Sequence, residues 1–88
     1  MKKTHIIVTG IVTGVGFRWY LKSNANRLNI HGFAKNKTEN EVEAVFIGKE
    51  NDVNELVKLA EKGPPSARVE KLSVQNYQKE FLKKSFDI

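Results

Sequence analysis

The sequence contains no cysteine, which excludes disulfides, thiolate metal sites and a cysteine nucleophile. Long apolar runs are missing too, so no segment has the length of a membrane-spanning helix. No leader pattern is legible, because Met1-Lys2-Lys3 is followed only by Ile6-Ile7-Val8 before Thr9-Gly10. The expected location is therefore the cytoplasm. His5 and His31 stand far apart, without the spacing of a metal pair, and read as ordinary, partly exposed histidines. Repeats, low-complexity stretches and linkers are absent. At 88 residues, the expectation is a single domain over 1–88.

What is present is ordinary in bulk: 40% hydrophobic and 28% charged residues suit a soluble globular chain. A net charge of +5 favours anionic partners, either phosphorylated metabolites or nucleic acid. Most of the lysines, such as Lys2-Lys3, Lys35, Lys37 and Lys83-Lys84, read as solvated surface.

His5–Thr9 reads as a strand, rich in β-branched residues and bounded by Gly10. From Phe17 the positions Phe17, Tyr20, Leu21, Asn24, Ala25 and Leu28 recur at three- and four-residue steps. That spacing predicts a helix to about Asn29, with Trp19 and Tyr20 packing at its start. Extended segments follow at about His31–Lys37 and Glu41–Ile47, the second with Val42, Ala44 and Phe46 on one face. Lys37-Thr38-Glu39-Asn40 reads as the turn between them, with Asn40 best suited to a left-handed backbone. Glu41 and Glu43 share the other face and read as solvated.

Asn51 or Asp52 is the expected cap of a second helix striped by Val53, Leu56, Val57 and Ala60. Gly63-Pro64-Pro65 ends it. A fourth strand is expected over Ala67–Tyr77, and a short edge strand within Phe81–Ile88. The order β-α-β-β-α-β predicts an α+β, ferredoxin-like sandwich: an antiparallel sheet with two helices on one face.

The most informative stretch is Gly10–Tyr20. Three glycines, Gly10, Gly14 and Gly16, lie between the first strand and the first helix, with Arg18 just after them. Glycine lets backbone N–H groups approach a ligand with no Cβ in the way. A helix start adds unpaired N–H groups and partial positive charge. Strand, glycine loop, helix start and arginine together describe a seat for an anion, most naturally phosphate. The alternative is a tight connection that binds nothing. Two better-known phosphate loops are excluded: no Lys-Ser or Lys-Thr follows the last glycine, and no third glycine completes a dinucleotide fingerprint. A cation near a helix N-terminus is mildly unfavourable unless an anion sits between, which favours a binding role for Arg18.

Gly10-x-Val12-x-Gly14-Val15-Gly16-Phe17-Arg18 resembles the first signature of the acylphosphatases. Gly32-Phe33-Ala34-Lys35-Asn36, with Val42 and Gly48 beyond, resembles their second. Gly63-Pro64-Pro65-Ser66-Ala67-Arg68-Val69 is also similar to the family's connection between second helix and fourth strand. The resemblance covers nearly the whole chain. It implies a cofactor-free, metal-independent hydrolase that splits the carboxyl–phosphate bond of an acyl phosphate without a covalent intermediate. By similarity, the backbone N–H groups of Val12, Thr13, Gly14, Val15, Gly16, Phe17 and Arg18 cradle the phosphate and the Arg18 side chain binds it. Asn36 matches the asparagine that orients the attacking water. Inorganic phosphate or sulfate is the expected simple ligand, and a monomer the expected state.

Two positions depart from the family. Thr13 stands where glutamine is usual and Asn40 where a turn glycine is usual. Because the cradle works through backbone N–H groups, the first exchange is expected to alter affinity or loop stiffness more than chemistry.

Composition agrees with that chemistry independently. A carboxylate leaving group, with a conjugate-acid pKa of roughly 4, needs no proton at neutral pH. The loop accordingly holds no His, Asp or Glu, and positioning plus charge stabilisation can carry phosphoryl transfer. The sequence leaves two rival readings. A four-stranded RNA-recognition domain shares the element order, but it displays stacking aromatics on its central strands. Here the first strand has none and the third, Glu41-Val42-Glu43-Ala44-Val45-Phe46-Ile47, is acidic, so no nucleic-acid partner is expected. The other rival keeps the fold and binds an anion without turnover.

Overall fold

In the computed structural model, which describes residues 1–88, the early β-branched run forms the longest strand, β1 (Lys2–Ile11). Thr4, Ile6, Val8 and Gly10 are buried, and Lys3, His5, Ile7 and Thr9 between them are half-exposed. That period of two is what one covered sheet face requires. The other elements are α1 (Phe17–Arg27), β2 (His31–Thr38), β3 (Glu41–Gly48), α2 (Glu50–Lys62), β4 (Arg68–Asn76) and β5 (Phe86–Asp87). The sheet order is β4-β1-β3-β2-β5. The first four strands pair antiparallel, whereas β5 runs parallel to β2 through Gly32↔Phe86 and Phe33↔Asp87. The tail strand exists as expected, and its parallel pairing makes the sheet mixed rather than wholly antiparallel.

Both helices lie against one sheet face. Phe17, Leu21 and Ala25 of α1 and Val53, Leu56 and Ala60 of α2 are buried with Ile6, Val8, Ala34, Val42, Ala44 and Phe46 of the sheet. Phe86 closes the same core, its ring 6.1 Å from that of Phe46. The opposite face is only partly open. Val45 (0% exposed) and Ile47 (7%) are buried although their parity turns them away from the helices. The chain between β4 and β5, which must travel from one sheet edge to the other, packs Tyr77 and Phe81 on Phe33. Glu43, expected to be solvated, is therefore only 20% exposed.

Several local expectations are corrected. The α1 stripe follows Phe17, Leu21 and Ala25, so Trp19 turns outward and is 65% exposed. Tyr20 does pack, its hydroxyl donating to the Leu59 carbonyl of α2 at 2.7 Å. Helix α1 stops at Arg27 rather than Asn29, because Asn29 adopts a left-handed φ of 56°. Ile30 then donates back to the Ala25 carbonyl at 2.8 Å. The N-cap of α2 is Lys49, with no side-chain cap bond; Asn51 and Asp52 lie inside the first turn. Asn40 does not take a positive φ, since Asn29 is the one non-glycine residue that does. The Glu39–Asn40 turn is instead braced by Thr38, whose hydroxyl accepts from the Asn40 N–H at 3.4 Å and donates to the Glu41 carboxylate at 3.1 Å.

Candidate active site

Between the end of β1 and the start of α1 the backbone makes one irregular excursion, Val12–Gly16. Its ends are nailed to the core: Val12 and Phe17 are each 1% exposed. Val15 packs partly against the same core. Gly14 and Gly16 turn the chain with φ of 71° and 76°. A Cβ at either would meet nothing within 4 Å, so crowding does not explain these glycines. What demands them is the left-handed backbone, which costs a residue with a Cβ roughly 1–2 kcal/mol. The space above them stays open.

The hydrogen bonding of this excursion is unusual for its incompleteness. None of the 11 backbone hydrogen bonds outside helices and strands is donated by Val12, Thr13, Gly14, Val15 or Gly16. Helix α1 adds to the deficit. Its N-cap, Gly16, offers no side-chain acceptor, its first turn has no acidic residue, and the ladder begins only with Tyr20 N–H to Gly16 C=O at 2.9 Å. The first-turn donors before Tyr20 lie outside the helical ladder. The other helix, α2, has Glu50 and Asp52 in its first turn. A row of free donors at an uncompensated helix start is the electrostatic complement of an anion.

Two side chains are expected to act with this row, one on α1 and one on β2. Arg18 lies in the first turn of α1 and is half-buried. No ion pair engages its guanidinium; the four in the molecule are His5–Glu43, Arg27–Glu55, Lys35–Glu43 and Lys83–Asp87. Asn36 is exposed on β2 and has the parity of the buried Ala34, which faces the helices. Immediately after it the β2–β3 register shifts, from Asn36↔Val42 to Thr38↔Glu41, leaving Lys37 as an extra residue. Bulges of this kind often re-aim a neighbouring side chain beside a functional site.

The loop is tied to the same hairpin. Gly10 N–H donates to the Asn40 carbonyl at 2.9 Å, and the Thr13 hydroxyl donates to the Glu39 carbonyl at 2.6 Å. Thus Val12 to Arg18 form one continuous segment, and Asn36 is joined to it through the β2–β3 turn. The Thr13 bond is a contact that the sequence did not announce: a threonine among glycines carries no signal for a carbonyl 26 residues away. A cleft of about 390 Å³ beside it is lined by Gly10, Ile11, Thr13, Glu39, Asn40 and Glu70.

A second polar cluster, also unforeseen, occupies the face away from the helices. His5 Nε2 lies 2.6 Å from Glu43 Oε2, and Lys35 Nζ lies 3.6 Å from Glu43 Oε1. On the other side of the ring, His5 Nδ1 lies 3.3 Å from the Gln75 amide nitrogen. The Tyr77 ring stacks on the imidazole at 6.3 Å. The hydrogen bond from His5, then the charges of His5, Lys35 and Lys37, hold the Glu43 carboxyl below the usual glutamate value against an opposing effect of burial. His5, Lys35, Glu43, Gln75 and Tyr77 line a cavity of about 660 Å³. No group of three or more His, Asp or Glu side chains is placed to hold a metal ion.

The family model described as Acylphosphatase matches residues 4–88. An acylphosphatase of Caldivirga maquilingensis is 44% identical over 77 residues, covering 86% of this chain and 81% of that protein. One from Thermococcus kodakarensis is 39% identical over 80 residues, covering 91% and 88% respectively. The crystal structure of acylphosphatase from Bacillus subtilis superposes with a TM-score of 0.92 at 32% identity, covering 100% of this chain and 98% of that one. Sequence and backbone agree over almost the entire length, and the chain belongs to the acylphosphatase family, hydrolases of the carboxyl–phosphate bond in acyl phosphates.

Proposed function

We propose that hydrolysis takes place on the Val12–Arg18 loop, with Arg18 and Asn36 as the catalytic side chains. The phosphoryl group sits on the backbone N–H groups of Val12, Thr13, Gly14, Val15, Gly16, Phe17 and Arg18. The Arg18 guanidinium binds its oxygens through two parallel hydrogen bonds. The Asn36 amide holds a water in line with the bond to be broken. The water oxygen bonds to phosphorus as the phosphorus–acyl oxygen bond breaks, and the carboxylate leaves with that electron pair. From an acyl phosphate dianion the products are a carboxylate and dihydrogen phosphate, so both water protons end on phosphate and no protein base is required. The loop contributes fixed donors to charge that develops on the phosphoryl oxygens, which is where such sites gain most.

The single observation that carries this reading is the run of backbone donors from Val12 to Gly16 with no acceptor in the chain. Backbone N–H groups find a partner in nearly every fold, and in this open loop an anion is the proposed partner. The arrangement favours turnover over anion storage because Asn36 also lies on the hairpin to which the loop is tied. In this reading the chain works as one domain and a monomer in the cytoplasm, with inorganic phosphate or sulfate as simple ligands of the seat and no nucleic acid involved. None of its helices is long and apolar enough to cross a membrane.

The test is phosphate release from a simple acyl phosphate, with a phosphate monoester as control. Wild type cleaves the first and spares the second, while Arg18→Ala and Asn36→Ala each lose turnover and keep the fold. Near-normal activity in either variant removes the role given to that residue.

A further inference from the structure

We propose that Thr13 is a positioning residue: its hydroxyl, bonded to the Glu39 carbonyl, holds the donor loop in register with the strand that bears Asn36. The inference rests on the site described above and goes beyond it, since Thr13 there contributes only a backbone N–H.

The need for such a device follows from how the two halves are built. The loop and Asn36 belong to separate segments, one closing β1 and the other within β2. Core packing fixes the loop's ends, Val12 and Phe17, and holds Val15 in part, but no backbone N–H from Val12 to Gly16 is paired. Gly14 and Gly16 touch nothing where a Cβ would be, so no packing braces them from outside. Asn36 is exposed and followed by the extra residue Lys37, so its strand is irregular just where alignment matters.

Two bonds span the gap. Gly10 N–H to Asn40 C=O, at 2.9 Å, joins the end of β1 to the turn. Thr13 Oγ1 to Glu39 C=O, at 2.6 Å, is the one side-chain hydrogen bond from the loop to the rest of the molecule. It is short, it reaches inside the excursion rather than to its edge, and it alone can be removed by substitution. A displacement of about 1 Å in a reacting pair can cost two orders of magnitude in rate; a single hydrogen bond of this kind governs a smaller share.

Thr13→Val keeps the shape and removes the hydroxyl, while Thr13→Ser keeps the hydroxyl and removes the methyl. The measurements are kcat on a simple acyl phosphate, the inhibition constant of inorganic phosphate, and the thermal midpoint. The expected result for Thr13→Val is a fall in kcat of about three- to tenfold, with phosphate inhibition held within about twofold of wild type. Thr13→Ser retains near-normal kcat. Thr13→Ala removes the hydroxyl with a smaller side chain, should an apolar methyl at that place disturb the loop. Equal loss of kcat and phosphate affinity overturns the proposal, since Thr13 would then be shaping the seat rather than aligning it. Equal loss in Val and Ser variants overturns it as well, because the hydroxyl would not be the active element. Arg18→Ala, run alongside, separates the two levels. If it is inactive while Thr13→Val matches wild type, only the positioning role falls; if it is fully active, the site falls with it.

Discussion

The cavity over the sheet and the loop at the end of β1 make opposite uses of polar groups. The cavity, at about 660 Å³, is larger than the cleft of about 390 Å³ beside the loop. Yet its floor is saturated: one ring nitrogen of His5 meets Glu43 and the other meets Gln75, and Glu43 is also paired with Lys35. The loop has little enclosure and a surplus of free donors, five consecutive residues whose N–H groups meet no acceptor. A satisfied cluster stabilises the structure that contains it, whereas an unsatisfied one is completed by something from outside. Size alone selects the cavity, in line with the general association of ligand sites with large pockets, whereas free donors select the loop. The two helix starts repeat the contrast: α2 neutralises its own N-terminus with Glu50 and Asp52, and α1 has no acidic residue there.

The largest effect expected from breaking this contrast lies at the loop. Arg18→Ala and Asn36→Ala should each lower kcat by about 10²–10³ or more, the range for one well-placed donor. Stability should respond in the other direction for Arg18, because removing a cation from a helix N-terminus is worth about +0.3–1 kcal/mol. Activity assays and chemical unfolding of the same preparations check both signs. A variant that lost activity only by unfolding would return the loop to a structural role.

The cavity should respond in the opposite manner, through stability and pH with turnover unchanged. The depressed carboxyl of Glu43 adds stability above the ordinary glutamate value of about 4.3, and that share is lost as pH falls through the lower folded-state value. Glu43→Gln keeps a hydrogen-bonding group but not the charge. It should melt below wild type near neutral pH, and the two should converge as pH drops below about 4. Thermal unfolding across that range measures it, and phosphate release near neutrality should match wild type. Parallel melting curves at all pH values would mean that the His5–Glu43 contact adds nothing to the fold.

The smallest effect is expected at Lys35. Its ammonium is 3.6 Å from Glu43 and its side chain is 63% exposed, so Lys35→Ala should change stability by less than about 0.5 kcal/mol and leave turnover alone. A marked loss of activity would show that the cavity side takes part in the reaction after all.

Legibility in the sequence followed the same division. Elements with strong periodicity were readable: the alternation in β1 and β3, and the stripes Phe17-Leu21-Ala25 and Val53-Leu56-Ala60, arise from single segments and need no partner to be recognised. The glycine loop with its arginine was readable because backbone conformation and charge are local properties. Contacts across strands were not. His5 pairs in register with Val45, and Glu43 with Ile7, so their side chains meet on a diagonal that depends on a register no local pattern specifies. The burial of Glu43 was hidden for a related reason, since the segment bringing Tyr77 and Phe81 over the sheet has little periodicity of its own. Asn40 misled in the other direction. Its tolerance of a left-handed backbone was real, but the Thr38 hydroxyl bonds made that conformation unnecessary.

Titration with inorganic phosphate, followed residue by residue through backbone amide shifts, tests the central claim most directly. Saturable changes should gather at Val12–Arg18 and be lost in Arg18→Ala, with His5, Phe33, Gln75 and Tyr77 unmoved. Changes centred on the cavity residues, or no saturable change at the loop, would contradict the account.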